Sequence, residues 1–315
     1  MGSNLGRTAQ SRSQLMRRRR GPGVLAGVVM LLLTAPPGFA ADQVIDSSGL
    51  QEVSAVPADT TLKVEGPFSP DFMELFKSDT SYPAYQFRPI DNLAFGVGET
   101  LKFAIGWEKI VAGYAEVAVP EVREYRNRMC YRVRSTARST RFFSTFFRVE
   151  DWAESFIDAR EIIPLHFEKH LREGKYENDQ LVDFYPEYGV ALTPSDTVAV
   201  PPYVQDALSL LYFVRTQSLT VGDTLVVDNF SKDKSYPLVV RVIKRERVQV
   251  KAGTFNTIVV EPLLQAAGLF KHKGQLKVWL TDDRLKMPVL MKSKVIVGSI
   301  VAELEEYTLG RLARY

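Results

Sequence analysis

Glu99-Thr-Leu-Lys-Phe-Ala-Ile-Gly-Trp107 carries a large apolar side chain at every second position from Leu101 onward. Successive side chains of a β-strand point to opposite faces of the sheet, so these side chains share one face. They are Leu101, Phe103, Ile105 and Trp107. The stretch therefore predicts a strand with one buried face and one face that meets solvent.

Eleven further segments show a similar alternation, with turn residues between them. They span about residues 113–119, 129–138, 148–157, 164–172, 180–185, 224–230, 236–250, 254–262, 274–280, 289–297 and 299–309. Open sheets rarely exceed about ten strands without curling. Twelve strands with short connections therefore predict an all-β fold, built as a large, strongly curved antiparallel sheet or an open barrel.

One segment departs from the strand pattern. Residues 205–215 follow Pro201-Pro202, carry an acidic residue in the first turn, and place Leu208, Leu211 and Arg215 at helical spacing. We expect one α-helix over about residues 205–215. Its apolar face would meet the inner surface of the curved sheet, so the helix is predicted to cap or plug an opening there.

The chain begins with the features of a secretory signal peptide. Arg17-Arg18-Arg19-Arg20 precedes an apolar run over residues 24–33, and Gly38-Phe39-Ala40 supplies the small residues of a cleavage site. The apolar run is shorter than the roughly 20 residues that span a bilayer, and no later run reaches that length. We therefore predict a periplasmic or secreted protein, cleaved near Ala40, with residues 1–40 as the signal peptide and no transmembrane segment after cleavage.

Composition divides the rest of the chain in two. Residues 41–92, rich in Ser, Thr, Pro and Asp, predict a linker or extended arm partly packed on the domain, and residues 93–315 predict a single β-rich domain. Residues 1–40 hold six of the 40 basic side chains and none of the 37 acidic ones, so the exported chain would be slightly acidic. This balance argues against a nucleic-acid partner.

The single Cys130 excludes an intramolecular disulfide.

Several motifs occur in an order that resembles a known bacterial family. They are Gly98-Glu99 before Leu101, Ala112-Gly113, Phe142-Phe143 with Phe147, Val149 and Asp151, the segment 206–215, Ala252-Gly253-Thr-Phe255, Trp279-Leu-Thr-Asp-Asp283 with Pro288-Val289, and Val297-Gly298-Ser299-Ile300. Over about residues 93–309 the chain resembles the family catalogued as domain of unknown function 3108. The resemblance implies an exported, β-rich protein and supplies no catalytic residues. By fold-level analogy alone, such a sheet is similar to the half-barrel of periplasmic lipoprotein carriers.

Three arginines, Arg132, Arg134 and Arg138, lie on one face of the strand predicted over residues 129–138. A row of guanidinium groups suits the phosphates or uronates of an envelope polymer or lipid head group. The alternative interpretation pairs the row with carboxylates of the following strand, such as Glu150 and Glu154. We favour the pairing, because charged rows on exposed sheet faces usually meet opposite charges or water.

Two apolar loops supply the other candidate ligand-binding residues. They are Phe142, Phe143, Phe146 and Phe147 in the first loop, and Leu269 and Phe270 in the second. The first loop suits a gate over an apolar cavity or a membrane contact, but large aromatic side chains dominate core energetics, so a lid folded permanently onto the core is favoured. Neighbouring glycines make the second loop the better candidate for a mobile rim.

Two histidines and a carboxylate alternate in His166-Phe-Glu168-Lys-His170, and these are residue types of many metal sites. On a strand the two histidines stand about 13 Å apart at ~3.3 Å per residue, so a polar row facing solvent is favoured and no metal is predicted. The sequence contains no nucleophile elbow, Gly-rich phosphate loop or paired Cys ligands. We therefore predict no catalytic residues and no cofactor.

Two functions fit these observations. The first is an exported, non-enzymatic cell-envelope protein that binds a lipid or another apolar ligand within the curved sheet. The alternative is a scaffold or adhesion module that binds envelope polysaccharide or protein through its polar face. A third function, an enzyme acting on envelope material, has no motif to support it.

Overall fold

The computed structural model describes residues 82–107, 110–266, 269–270, 276–294 and 299–312. The strands are β1 (Thr100–Trp107), β2 (Ile110–Tyr125), β3 (Arg128–Ser139), β4 (Glu150–Asp158), β5 (Pro164–Glu173), β6 (Tyr176–Tyr185), β7 (Val190–Leu192), β8 (Thr197–Ala199), β9 (Thr224–Ser231), β10 (Lys234–Val250), β11 (Gly253–Ala266), β12 (Leu269–Phe270), β13 (Leu276–Thr281), β14 (Pro288–Lys294) and β15 (Ser299–Thr308). The helices are α1 (Arg141–Ser144) and α2 (Ala207–Thr216), with a 3-10 turn at Pro186–Tyr188. The predicted signal peptide and the first part of the predicted arm lie outside the described residues.

The strands form one antiparallel sheet in the order β8-β7-β6-β5-β4-β3-β2-β1-β15-β14-β13-β11-β10-β9, and β12 pairs beside this path with β11. Two meanders make up the sheet, because β1 to β8 neighbour each other in chain order and β9 to β15 do the same with β12 set aside. Pairing of β1 with β15 joins the meanders. This architecture confirms the predicted all-β fold with its large antiparallel sheet.

The sheet curls until strands near its opposite edges touch. The rings of Phe184 in β6 and Phe230 in β9 have their centroids 5.5 Å apart. Gln205, which follows β8, donates its amide to the Asp228 carbonyl and accepts from the Phe230 amide, each at 2.8 Å. Since β8 and β9 form no ladder with each other in the described part of the chain, the segment around Gln205 bridges the gap of an open barrel.

Helix α2 fills the inside of this curved sheet, and every residue of the helix from Ala207 to Arg215 is buried. It begins at Ala207 rather than at residue 205, because Gln205 pairs with β9 and Asp206 adopts an extended conformation as the N-cap. The Asp206 carboxylate accepts from the Leu208 and Ser209 amides, and the Ser209 hydroxyl accepts from the Asp206 amide in return. No helix in the described residues has the length and apolar character that crossing a bilayer requires.

Burial follows the predicted alternation where the sheet faces the helix. Leu101, Phe103 and Ile105 are buried, and the core residues of both meanders form one contiguous cluster with α2. The side chain of Trp107 lies outside the described part.

All twelve predicted strands are present, but β2 runs well beyond residues 113–119. Pro120 has no amide hydrogen to donate. The pairing of β2 with β3 nevertheless continues past this residue, with a shift in register.

The barrel has two different ends. At one end, which we call the helix end, Tyr85 and the Arg88 amide donate to Glu161, so the segment from residue 82 packs across the β4–β5 connection. At the other end lie α1, the β5–β6 turn at Gly174-Lys175 and the β9–β10 turn at Lys232-Asp233. We call this the aromatic end, because α1 carries the first apolar loop.

Candidate functional site

Helix α1 is a single turn, and with the residues that follow it the turn directs four phenylalanines to two sides. Side chains four residues apart lie on the same side of a helical turn, so Phe142 pairs with Phe146 and Phe143 with Phe147. The Phe142 and Phe146 side chains are 67% and 77% exposed, with ring centroids 5.5 Å apart. Phe143 and Phe147 are half-buried. The predicted lid folded onto the core is therefore wrong for Phe142 and Phe146, because one turn cannot bury both of its sides.

The inward side of this loop packs on the β5–β6 turn. A Cβ atom at Gly174 would lie 2.7 Å from the Phe147 ring, and the φ of +61° there also favours glycine. The Gly174 amide donates to the Arg148 carbonyl at 2.8 Å, and Val149 forms a bridge with Glu173. These contacts fix α1 directly above the last residues of β5.

The arginine row meets the carboxylates of the next strand, the arrangement favoured by the sequence. Arg132 pairs with Glu154 at 2.8 Å, and Arg134 approaches the same carboxylate at 3.3 Å. Arg138 reaches Glu150 only at 3.9 Å. Arg132 and Arg134 thus form ion pairs with a carboxylate on the outer face of the sheet, whereas Arg138 makes only a long contact with Glu150.

Below α1, the inner faces of β4 and β5 and the start of α2 carry a group of polar and ionisable side chains that we call the inner polar cluster. Its members are Asp151, Ser155, Lys169, Glu173 and Asp206. Ser155 donates to the Asp206 carboxylate at 2.6 Å, which joins the cluster to the start of α2. Burial raises the pKa of Asp206 to about 6, although its hydrogen bonds oppose the rise.

Two carboxyl groups of the cluster face each other. Burial raises the pKa of both Asp151 and Glu173, and repulsion from the Asp151 charge raises that of Glu173 further. Asp151 Oδ1 accepts from the Arg172 amide at 2.7 Å, but Asp151 Oδ2 and Glu173 Oε1 receive no donor from other described groups. A hydrogen bond between the two acids therefore requires that one of them keeps its proton.

Lys169 is the least compensated member of the cluster. Lys169 is only 6% exposed, and burial lowers the pKa of its ammonium group to about 8. Among the residues that the structure describes, no carboxylate oxygen lies within 4.0 Å of its ammonium group. Asp233, Glu173 and Asp206 attract it at longer range, while Lys232 repels it. Lys169 is therefore a largely buried lysine whose ammonium group forms no close ion pair with the residues that the structure describes.

The opposite inner wall becomes less shielded toward the aromatic end. In the second meander, inner-face residues deep in the barrel such as Val240 and Val260 are buried. Burial decreases toward the aromatic end, where Leu238 is still buried but four other inner-face residues are half-buried. The half-buried residues are Tyr236, Pro262, Leu276 and Ser293. β12 pairs with the last residues of β11 at this end, but the side chains of Leu269 and Phe270 lie outside what the structure describes.

The histidine row forms a hydrogen-bonded outer surface. His166 Nδ1 lies 2.9 Å from Asp183, and the two ring nitrogens of His170 each lie 2.8 Å from a carboxylate, of Glu168 and of Asp179. The indole of Trp152 stacks on His170 with centroids 4.5 Å apart. Within the described ranges, no group of His, Cys, Asp and Glu is arranged to hold a metal ion.

The inner polar cluster was absent from the sequence-based candidates, although its signal is visible. Lys169 falls in the same phase of its strand as Leu165, Phe167 and Leu171, which are buried. Asp151 likewise shares the buried phase of β4 with Ala153. A charged residue in the apolar phase of an amphipathic strand is thus the pattern that identifies the cluster.

We expect Glu173→Gln to leave stability unchanged near pH 4 and to raise the free energy of unfolding by about 1–2 kcal/mol near pH 8. The folded-state pKa of Glu173 lies above that of the unfolded chain. Stability contributed by the protonated acid is therefore full below about pH 4.3 and is lost as the pH rises toward the folded pKa. Glutamine keeps the shape of the protonated acid and does not ionise.

Urea unfolding at both pH values measures this difference. Glu177→Gln, in an exposed position of neighbouring β6, is the matched control and should change stability equally little at both. A Glu173→Gln effect that is independent of pH would contradict the shared-proton arrangement.

Comparison with known proteins gives a family match. The model of the family described as "Protein of unknown function (DUF3108)" matches residues 102–305. None of the curated proteins matches the chain. The family match covers almost the whole sheet, from β1 to β15.

Three solved structures show distant similarity. A β-barrel-like protein of domain of unknown function DUF1849 from Brucella abortus is 12% identical, with 69% of this chain and 100% of that chain covered and a TM-score of 0.49. A candidate lipoprotein from Parabacteroides distasonis is 13% identical, with 71% and 100% covered and a TM-score of 0.33. A candidate exported protein with a YmcC-like fold from Bacteroides fragilis is 14% identical, with 70% and 100% covered and a TM-score of 0.27.

Proposed function

We propose that this chain, which belongs to the DUF3108 family of proteins of unknown function, is an exported, non-enzymatic cell-envelope protein that binds an acidic amphiphile at its aromatic end. Export is supported by the signal-peptide features of residues 1–40, with cleavage near Ala40 and release into the periplasm or the medium. Binding is supported by the inner polar cluster and the half-buried apolar wall that faces it.

Lys169 is the observation on which the binding proposal depends. Removing an ammonium group from water without a partner is costly, and buried cations are normally paired. A ligand carboxylate or phosphate would complete the missing ion pair. The proton held by Asp151 and Glu173 would allow one of these acids to donate to the same head group rather than repel it.

The apolar part of the ligand has a matching surface at the same end. Tyr236, Pro262 and Leu276 are half-buried on the facing wall, so an acyl chain there would remove apolar area from water. Deeper in the barrel, α2 occupies the interior and is buried throughout. The proposed site is therefore a shallow concavity at the aromatic end rather than a channel through the sheet.

The alternative role as a scaffold for envelope polysaccharide has weaker support. It depended on the outer arginine row, and Arg132 and Arg134 are already paired with Glu154. Ion pairs of this kind on a sheet surface are ordinary structural contacts.

The test begins with protein purified from the envelope of the cells that produce it. Native mass spectrometry should show an added mass that is lost on unfolding, and the purified protein should bind a fluorescent fatty acid. Lys169→Gln should weaken that binding about tenfold, because one charge-assisted hydrogen bond is lost. Lys175→Gln, in the exposed β5–β6 turn, is the control and should bind like wild type. Protein without bound amphiphile and without affinity for the fatty acid would reject the proposal.

A further inference from the structure

The most exposed large apolar side chains in the described part of the chain are neighbours. Phe146 and Phe142 are 77% and 67% exposed and lie together on the outer side of α1. Single exposed apolar residues are normal on protein surfaces, whereas an adjacent aromatic pair at the tip of a structure marks a contact surface. Phe142 and Phe146 therefore mark a contact surface for a partner with an apolar region into which phenyl rings can insert.

The charges around this pair define the chemistry of that partner. The side chains of Arg138 and Arg148 are 75% and 72% exposed, and Arg141 is also exposed. Glu150 pairs with Arg148 at 2.6 Å and approaches Arg138 at 3.9 Å. Among the described residues that pair with these arginines there is one carboxylate for three guanidinium groups, so the rings project from a positively charged rim. Guanidinium groups bind phosphates with good geometry.

Other exposed residues extend this surface across the same end of the barrel. Lys175, Lys232 and Lys234 lie in or beside its turns, and the exposed acids there are Asp233 and Glu177. Ile110, at the start of β2, is also exposed. Apolar side chains surrounded by basic ones are the combination found where proteins lie on anionic membranes.

We propose that the aromatic end docks on the surface of a bilayer that contains anionic phospholipids. Phe142 and Phe146 enter the boundary between head groups and acyl chains, and Arg138, Arg141 and Arg148 contact the phosphates. The purpose of docking rests on the proposed function, because this contact holds the amphiphile site against the membrane that contains such molecules.

Flotation of the exported chain with vesicles tests the docking surface. The protein should float with vesicles of phosphatidylcholine and phosphatidylglycerol, should bind pure phosphatidylcholine vesicles much less, and should be released by added salt. Phe142→Ser/Phe146→Ser should lower partitioning about tenfold, and Arg138→Ser/Arg148→Ser should lower it by a similar factor on anionic vesicles only. Val226→Ser is the control, because Val226 is exposed on β9 away from this end.

The outcomes separate docking from ligand binding. All variants share one N-terminus, so the N-terminal segment cannot produce a difference between them. Phe142→Ser/Phe146→Ser should retain affinity for a soluble fluorescent fatty acid, whereas Lys169→Gln should retain vesicle binding. Wild-type partitioning by the double phenylalanine variant, or equal binding to neutral and anionic vesicles, would overturn the docking proposal.

Discussion

Replacing Arg215 with Leu is expected to lower the free energy of unfolding by about 3–5 kcal/mol, because the change leaves a buried carboxylate without its counter-charge. The Arg215 guanidinium binds Glu99 through two parallel hydrogen bonds, Nη1 to Oε1 at 2.6 Å and Nη2 to Oε2 at 2.7 Å. Both side chains are buried. Such bidentate pairs are among the strongest charge-assisted contacts in proteins.

Arg215 also joins three separate parts of the helix end. Its Nη2 donates to the Ala94 carbonyl at 3.0 Å, and its Nε donates to the Leu285 carbonyl at 3.2 Å. The guanidinium lies 5.5 Å from the centre of the Phe95 ring. The last turn of α2 is thereby fixed to the segment before β1 and to the β13–β14 connection.

Urea unfolding provides the measurement, and Lys102→Met provides the matched control. Lys102 pairs with Glu306 at 2.8 Å, but both side chains are exposed, so its loss should change stability by less than about 1 kcal/mol. Arg215→Leu/Glu99→Leu should recover part of the loss, because no uncompensated charge remains. A loss below about 1 kcal/mol for Arg215→Leu alone would show that Glu99 finds another partner or a proton without difficulty.

Lys169→Met is expected to raise the free energy of unfolding by about 2–3 kcal/mol at neutral pH. Burial lowers the pKa of Lys169 from 10.5 to about 8. Below that folded pKa the lysine is charged in both the folded and the unfolded chain, so the folded state bears the full cost of burying the charge. Methionine has a similar length and no charge, so it removes the cost and fills the same space.

The gain should depend on pH in a defined direction. As the pH rises from the folded pKa toward that of a free lysine, the wild-type side chain loses its charge and the advantage of methionine disappears. Unfolding experiments at about pH 7 and at about pH 10 test this, with Lys175→Met as an exposed control that should show no such change. A destabilised Lys169→Met protein would mean that Lys169 is satisfied within the fold, which would also remove the main support for the ligand site.

A gain in stability combined with a loss of binding is the signature of a residue retained for function. The Lys169→Gln binding experiment and the Lys169→Met stability experiment therefore examine the same residue through independent measurements. The exposed Lys175 serves as the reference in both.

The regular part of the fold was predictable from the sequence, because alternation is a local property. Leu101, Phe103 and Ile105 lie on the buried face of β1 as their spacing predicts. The three strands that were missed, β7, β8 and β12, contain two or three residues each, which is too few to show a period. Their pairing partners, rather than their own residues, place them in the sheet.

The candidate site was less predictable, because it depends on tertiary packing. The four phenylalanines of the first loop are chemically alike, and only the fixed orientation of α1 decides that Phe142 and Phe146 face solvent. Lys169 lies in a strand that was correctly predicted, but the metal-site hypothesis concerned His166 and His170, which lie on the opposite face of that strand. The burial of Lys169 on the inner face follows from the curl of the sheet, which brings α2 against β4.

Pairing of β1 with β15 has a consequence for how the chain folds during synthesis. Thr100 lies opposite Thr308, so one side of β1 stays without its neighbour until about 200 further residues have been synthesised. An unpaired strand border is a template for association with other chains. We therefore expect the chain to be most prone to self-association before β15 is available to pair with β1.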